Sequence, residues 1–327
     1  MQAVRIAELT GPDALELIEL PDPSAEHLLT PGEGVVIDVR AAAVSFPDVL
    51  QSRGLYQFKP ELPFVPGAEV AGVVIEASPG SGVTAGDRVA AMTMIGGMAE
   101  RAVAAPALTF ALPEQLDFAQ GAALILNYHT AYFALKLRGH VREGEQVLVH
   151  GAAGGVGTAT LQVAKGLGAR TVAVVSTEEK DHVAREAGAD VVVRSDDAWR
   201  EQVQALTDGG VDVVIDPVGG DRFLDSLRAL REDGRLVVVG FTGGAIPEVK
   251  VNRLLLRNTS VVGAGWGAYV LSKPHLSREI GAEIDRLVAS GVVRPIVGAR
   301  FPLARAADAM RLIDERGALG KVVLELG

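Results

Sequence analysis

A chain of 327 residues, 48% hydrophobic and 22% charged, carries apolar material for a large core and suggests about two domains. Its 31 basic and 41 acidic residues leave a net charge of −10, which argues against general nucleic-acid binding, because neutralising phosphates needs clustered cations. Cysteine is absent, which excludes disulfides, cysteine nucleophiles, iron–sulfur clusters and every zinc site that needs a thiolate.

The opening stretch MQAVRIAELTGPDALELIEL is charged throughout and has no apolar h-region, and apolar runs stop well short of the roughly 18 residues of a membrane span. A cytoplasmic location is expected. As far as about residue 121 the chain reads as short β-branched runs set off by Gly, Pro, Asp and Ser: GEGVVIDVRAAAV, EVAGVVIEA and GDRVAAMT. That spacing predicts an all-β, partly barrel-like module. AALILNYHTAYFALKLRG (122–139) then has helical spacing, and a strict alternation of strand and helix follows. Strands are predicted at 146–150, 171–176, 191–194, 211–216, 235–241 and 260–264, with helices at 155–167, 178–187, 199–206 and 222–230. Strands separated by such helices make right-handed βαβ units and a parallel sheet. VDVVIDPVG and GRLVVVG are apolar on both faces, as a sheet covered on both sides requires. Two amphipathic helices (279–291 and 306–317) and a strand at 321–326 close the chain. The fold class is α/β. A discontinuous β-rich domain (1–121 and 265–327) is expected beside a doubly wound, dinucleotide-binding domain (122–264).

VLVHGAAGGVGTATLQVAKG runs from a strand through a glycine-rich turn straight into a helix. Gly154, Gly155, Val156 and Gly157 form the candidate phosphate-binding turn. The glycines allow a tight bend, close approach of a pyrophosphate and packing of helix on sheet, while first-turn N–H groups face the phosphates. The G-x-G-x-x-G pattern is altered at its first position, Ala152, and an ordinary βα turn is the alternative. Choice of nicotinamide cofactor falls at the end of the next strand, where NAD-preferring sites carry Asp or Glu. Ser176 and Thr177 stand there instead, with Lys180 and Arg194 within reach to offset a 2′-phosphate. Glu178 and Glu179 argue the other way, although the first turn of a helix is their natural place. NADP(H) is the expected cofactor; a solvated surface lysine is the competing reading of Lys180.

VSFPDVLQSRGLY (44–56), LPFVPGAEVAGVV (62–74), GDRV (86–89), NYHTAYFAL (127–135), GAAGGVG (151–157), DPVGG (216–220), GRLVVVGF (234–241) and GKVVLEL (320–326) occur in that order. Together they resemble the zinc-independent quinone oxidoreductases of the medium-chain dehydrogenase/reductase superfamily over essentially the whole chain. The resemblance implies a GroES-like catalytic domain, a Rossmann domain, a cofactor cleft between them and a homodimer, for which 259–263 is a candidate edge strand. It also implies site roles. Tyr56 matches a tyrosine of the substrate cleft, with a packing tyrosine as the alternative. Ser45 stands where many relatives carry Asn. Asp48 orients the loop or meets the nicotinamide ribose, a local turn cap being the alternative. Asn127 and Thr130 correspond to contacts with the nicotinamide ribose and phosphates, and Phe241 to the backbone station for the carboxamide. Trp266, with Gly267, flanks the nicotinamide or acceptor pocket, or else packs in the core or at a dimer contact. Lys321 falls in a Gly-Lys pair that relatives place near the cleft, with a surface role as the alternative.

Zinc-dependent members of that superfamily hold the metal with a Cys in the early loop, the His of a G-H-E motif and a further Cys or His. Here the early loop offers Ser45 and Asp48, the motif reads Gly67-Ala68-Glu69, and the six histidines show no pair at ligand spacing. No metal is expected. Hydride transfer without a Lewis acid suits acceptors that need little activation, namely quinones and α,β-unsaturated carbonyls. Two enzymatic readings follow: an NADPH-dependent quinone reductase and an enoyl or 2-alkenal reductase. A non-catalytic NADPH-binding protein is the third. The expected partner is a small quinone or enone, with neither nucleic acid nor membrane.

Overall fold

The β-branched runs of the N-terminal third become strands in the computed structural model, which describes residues 1–27, 30–196 and 198–327. β1 (Gln2–Ile6) and β2 (Leu15–Glu19) form an antiparallel ribbon. β3 (Val35–Val44), β4 (Glu69–Ala77), β5 (Arg88–Met92), β6 (Arg101–Ala104) and β7 (Thr109–Ala111) enter a second, larger sheet. β3 pairs with β4 along its length and with β6 through Val35–Asp38. Bulges in the β3–β4 ladder at Val36/Ile37 and Val39/Ala41 bend the sheet around its core of Val35, Ile37, Val70, Val74, Val89 and Met98.

The alternating region supplies β8 (Gln146–His150), β9 (Arg170–Val175), β10 (Val191–Arg194), β11 (Val211–Asp216), β12 (Leu230–Val238) and β13 (Ser260–Gly263). All pair in parallel, in the order β10-β9-β8-β11-β12-β13. This is a doubly wound sheet whose order reverses between β8 and β11. Helices Gly155–Gly166, Glu178–Glu186, Trp199–Leu206 and Phe223–Ala229 make the crossovers. Two expected elements differ. The helical stretch at 122–139 divides into Phe118–Ala122, Ile125–Tyr132 and a π-helical segment, Phe133–Arg138, closed by Gly139 N–H on Ala134 O at 2.7 Å. The strand expected at 235–241 ends at Val238, because Thr242 and Gly243 N–H turn back to the carbonyls of Pro217 and Val218. Phe241 lies in that turn.

β14 (Val297–Pro302) and β15 (Lys321–Glu325) then rejoin the larger N-terminal sheet, giving the order β14-β15-β3-β4-β5-β7. Two units result, Met1–Leu126 with Pro274–Ala282 and Pro295–Gly327, and Asn127–Lys273 with Glu283–Arg294. The expected division assigned all of 265–327 to the first unit. Packing puts Trp266–Ser272 and 283–294 in the second. The Trp266 ring lies 5.4 Å from Phe133, Leu287 fills the space above Gly166, and the Gln162 amide bonds Arg294 O and N–H, each at 2.9 Å. None of these contacts is legible as a period in the sequence.

The bend after β8 is made by Gly151, at φ 58°, a position that the G-x-G-x-x-G template passes over. Gly154 has an ordinary φ of −86°. Gly157 is required by contact: a Cβ there would lie 2.2 Å from Gly151 O and 2.6 Å from Ala152 Cα, whereas one on Gly154 would meet nothing nearer than 3.4 Å. Gly157→Ala is therefore expected to lose about 3 kcal/mol of stability in urea unfolding, and Gly154→Ala under about 1 kcal/mol. Equal losses would contradict the steric assignment.

Candidate active site

Strand register builds a polar cluster in the first unit. β15 lies on β3 with Val322 opposite Val44, and β3 lies on β4 with Ala43 opposite Glu69. Ser45 and Lys321, each next to a paired residue, therefore meet Glu69, although 276 positions separate Ser45 from Lys321. Lys321 Nζ donates to Ser45 Oγ at 2.8 Å and forms an ion pair with Glu69 Oε2 at 3.1 Å. Glu69 Oε1 accepts Leu126 N–H at 2.8 Å. Ser45 is the N-cap of helix Phe46–Gln51, and the Asp48 carboxylate accepts the N–H groups of Ser45 at 2.7 Å and Gly67 at 3.1 Å. Burial pushes the Asp48 carboxyl up to about 6, against the pull of Ser45 N–H, the Lys321 ammonium and Gly67 N–H, with Glu69 adding to the rise. Burial also raises the Glu69 carboxyl, opposed first by Lys321.

Asp48 thus matches the turn-cap reading. Both its oxygens accept backbone N–H, and its side chain is fully buried. Lys321 is buried in an ion pair and not on the surface. Arg53 grips Asp314 through two bonds of 2.7 and 2.6 Å and so fixes the segment leading to Tyr56. Half-buried, Tyr56 lines a cavity of about 30 Å³ with Gln51, Phe58, Pro60 and Phe64. Burial raises its phenol pKa and the Asp48 carboxylate raises it further, so the hydroxyl is a proton-bearing donor at neutral pH.

In the second unit the first-turn amides of helix Gly155–Gly166, at Gly155, Val156 and Gly157, have no intrahelical acceptors. Ser176 and Thr177 are exposed at the end of β9. Thr177 caps helix Glu178–Glu186, accepting Lys180 N–H at 3.4 Å, and Lys180 Nζ donates to Ser176 Oγ at 3.3 Å. Arg194 pairs with Val175, one residue before Ser176. The four residues read as a 2′-phosphate site are therefore together. Glu179 stands among them, its carboxyl lowered by its own backbone N–H and the Thr177 hydroxyl, then by Arg194 and Lys180.

Asn127 and Thr130 share helix Ile125–Tyr132, Asn127 buried and Thr130 half-buried. The Phe241 ring closes over Gly219. Trp266 is 2% exposed and packs on Phe133 at 5.4 Å and His129 at 5.8 Å, the geometry of the core-packing alternative. Asp216, not singled out in the sequence, ends β11 and accepts Val218 and Gly219 N–H at 2.8 and 2.9 Å, which fixes the DPVGG turn. An Asp at a strand end before Pro-x-Gly-Gly is the signal that would have found it. Buried His129 and His150 pack against aromatic rings, whereas His140, His182 and His275 are exposed. His150 Nε2 donates to Ser226 Oγ at 2.7 Å, since Ser226 gives its own proton to Arg222 O. Burial pushes His150 down to about 4 and His129 to about 3. Among the described residues no group of three or more His, Asp or Glu is placed to hold a metal, and no helix is long and apolar enough to cross a membrane.

Residues 31–114 match the alcohol dehydrogenase GroES-like domain, and 155–281 match the family described as zinc-binding dehydrogenase. The chain is 38% identical over 330 residues to quinone oxidoreductase-like protein 2 of Bos taurus, covering 99% of this chain and 92% of that protein. It resembles the quinone oxidoreductase of Thermus thermophilus, solved also as its NADPH complex, at 36% identity and TM-score 0.83 over 100% of both chains. Escherichia coli quinone oxidoreductase complexed with NADPH is similar at 29% identity and TM-score 0.90, again over 100% of both chains. The zinc of the family description does not fit this donor set. There is no cysteine, Ala68 offers no donor, Ser45 Oγ already accepts from an ammonium, and the charge of Lys321 opposes a second cation beside Glu69.

Proposed function

The chain belongs to the quinone oxidoreductase group of the medium-chain dehydrogenase/reductase superfamily, and from that premise we propose that it uses NADPH to reduce quinones without a metal. The observation that carries this reading is the Lys321 ammonium held between Ser45 and Glu69, a fixed cation where metal ligands would otherwise be needed. An ammonium held by Ser45 and Glu69 does not offer a metal's coordination position to an alcohol or a saturated ketone. Quinones stabilise the added electron pair by conjugation and need only orientation and hydrogen bonds.

When bound, NADPH supplies a hydride. The first-turn amides at Gly155, Val156 and Gly157, with Gly154 before them, would hold its pyrophosphate. Ser176, Thr177, Lys180 and Arg194 would hold its 2′-phosphate. Asn127, Thr130 and the backbone at Phe241 would serve its nicotinamide half, and Tyr56 and Ser45 would face the acceptor. The same chemistry extends to 2-alkenals and other enones, which are the second reading.

NADPH oxidation measured over quinones, 2-alkenals, enoyl-CoA esters and saturated ketones tests the acceptor class. Turnover of quinones, with or without enones, and none of saturated ketones is expected; turnover of saturated ketones alone would sink the proposal. Lys180→Ala should raise KM for NADPH about tenfold, the loss of one charge-assisted contact, and leave KM for NADH within about twofold. Equal losses for the two cofactors would remove Lys180 from the 2′-phosphate site.

A homodimer is part of the same proposal. Among the described residues β13 pairs on one side only, with β12, and its Val261 is exposed together with Val251, Leu255 and Leu256 of the preceding segment. An unpaired strand edge beside exposed apolar side chains is a surface that a second copy would cover. Light scattering should give twice the monomer mass, reduced to the monomer by Val261→Lys; a monomeric parent chain would end this part of the reading.

A further inference from the structure

We propose that Lys321 is a positioning residue for the reduction and acts through Ser45: its ammonium polarises the Ser45 hydroxyl, whose own proton is offered to the acceptor oxygen on which charge develops. The inference rests on the metal-free reduction proposed above.

Bond direction is the first support. Nζ is a donor only, so at 2.8 Å it takes a lone pair of Ser45 Oγ. The Ser45 proton has no acceptor among the described residues. A hydroxyl that accepts from a cation becomes a stronger donor, because hydrogen bonds in a chain polarise one another.

Burial is the second. Glu69 and Asp48 are 0% exposed, Lys321 is 4% and Ser45 is 8%, so a polar path runs from a sealed carboxylate through the ammonium to the member nearest solvent. Neighbouring acids do not compete for the proton. Asp48 spends both carboxylate oxygens on backbone N–H, Glu69 accepts from Leu126 N–H and pairs with Lys321, and burial keeps the Tyr56 phenol protonated.

The third is physical economy. Burying an ammonium and a carboxylate costs several kcal/mol per ion, and well-packed apolar residues would serve a purely structural tie as well or better. The adjacent strand positions, Val44, Val70 and Val322, are already apolar and buried. Two elementary charges kept in such surroundings suggest a use beyond packing.

In the step assisted, a hydride supplied by NADPH, which is oxidised to NADP+, forms a new bond to the acceptor, and a conjugated π pair of the acceptor moves to its carbonyl oxygen. The Ser45 O–H donates a hydrogen bond to that oxygen, Lys321 strengthens the donor, and a solvent proton completes the product. No bond to the protein forms or breaks.

The test uses the full-length protein, NADPH and 1,4-benzoquinone, with Ser45→Ala, the pair Lys321→Met/Glu69→Gln, and the triple variant. Removing Lys321 and the Glu69 charge together avoids leaving a lone buried carboxylate, and circular dichroism checks that each variant is folded. Ser45→Ala and the pair should each lower kcat about 100-fold, as loss of one preorganised donor does, with KM for NADPH within about twofold of the parent. The triple variant should be no slower than Ser45→Ala, because Lys321 works through that hydroxyl. An unchanged kcat in folded variants, or losses that multiply in the triple variant, would overturn the assignment while parent turnover left the functional reading intact. A parent protein that turns over no quinone would overturn both.

Discussion

The antiparallel register that sets β15 against β3 and β3 against β4 is the constraint on which the rest of the first unit depends. It places the start of β15, the end of β3 and the start of β4 side by side, and so closes Lys321, Ser45 and Glu69 into one contact. A shift by a single residue in either ladder would turn Glu69 or Lys321 to the opposite face and leave a buried charge alone. The ion pair is therefore a poor source of net stability and a strong selector of register. Helix Phe46–Gln51 grows directly from the same point, with Ser45 as its cap and Asp48 tying it to Gly67, so the early loop inherits its position from the sheet.

The second unit handles charge in the opposite way. Lys180 and Arg194 stand at the open ends of β9 and β10, partly solvated and in reach of Glu179. Cations so placed are screened by salt and tolerate rearrangement, which would suit the proposed 2′-phosphate site, where a dianion would be captured and released. Lys321 has no such freedom. One lysine can sample a ligand while the other is held in a single geometry, and the difference comes from burial alone.

Regular elements were legible because period and punctuation announce them: the alternation from Gln146 to Gly263 predicts the parallel sheet, and most strand bounds agree within one or two residues. The glycine turn was legible in kind but not in detail. Its steric demand sits at Gly157 and its left-handed bend at Gly151, and only backbone geometry separates these from Gly154. Trp266 carried a likeness to a cofactor contact, but a large apolar ring with Phe133 and His129 within reach gains by burial in its own unit. The domain division missed 283–294 because the deciding contacts, Gln162 with Arg294 and Leu287 over Gly166, couple positions far apart in the chain. Lys321 was recognisable as a Gly-Lys pair, and Glu69 as the residue after a missing histidine. Their partnership was not, since register across three strands is a property of pairing and leaves no local trace.

That partnership also limits the chemistry. A divalent metal offers two charges and an open position, and stabilises a developing alkoxide by several kcal/mol. The Lys321 ammonium offers one charge, shared with Glu69 at 3.1 Å and relayed through a neutral hydroxyl at 2.8 Å. A charge-assisted hydrogen bond of that kind contributes about 1.5–3 kcal/mol. The deficit relative to a metal has to come from the acceptor itself. Quinones make it up by delocalising the new electron pair over the ring and enones over the enolate, whereas an isolated ketone has no such reserve. On the proposed reading, substrate class would follow from the strength of the cation and not from the shape of a pocket. Different acceptors within that class would differ in fit while drawing on the same electrostatic support.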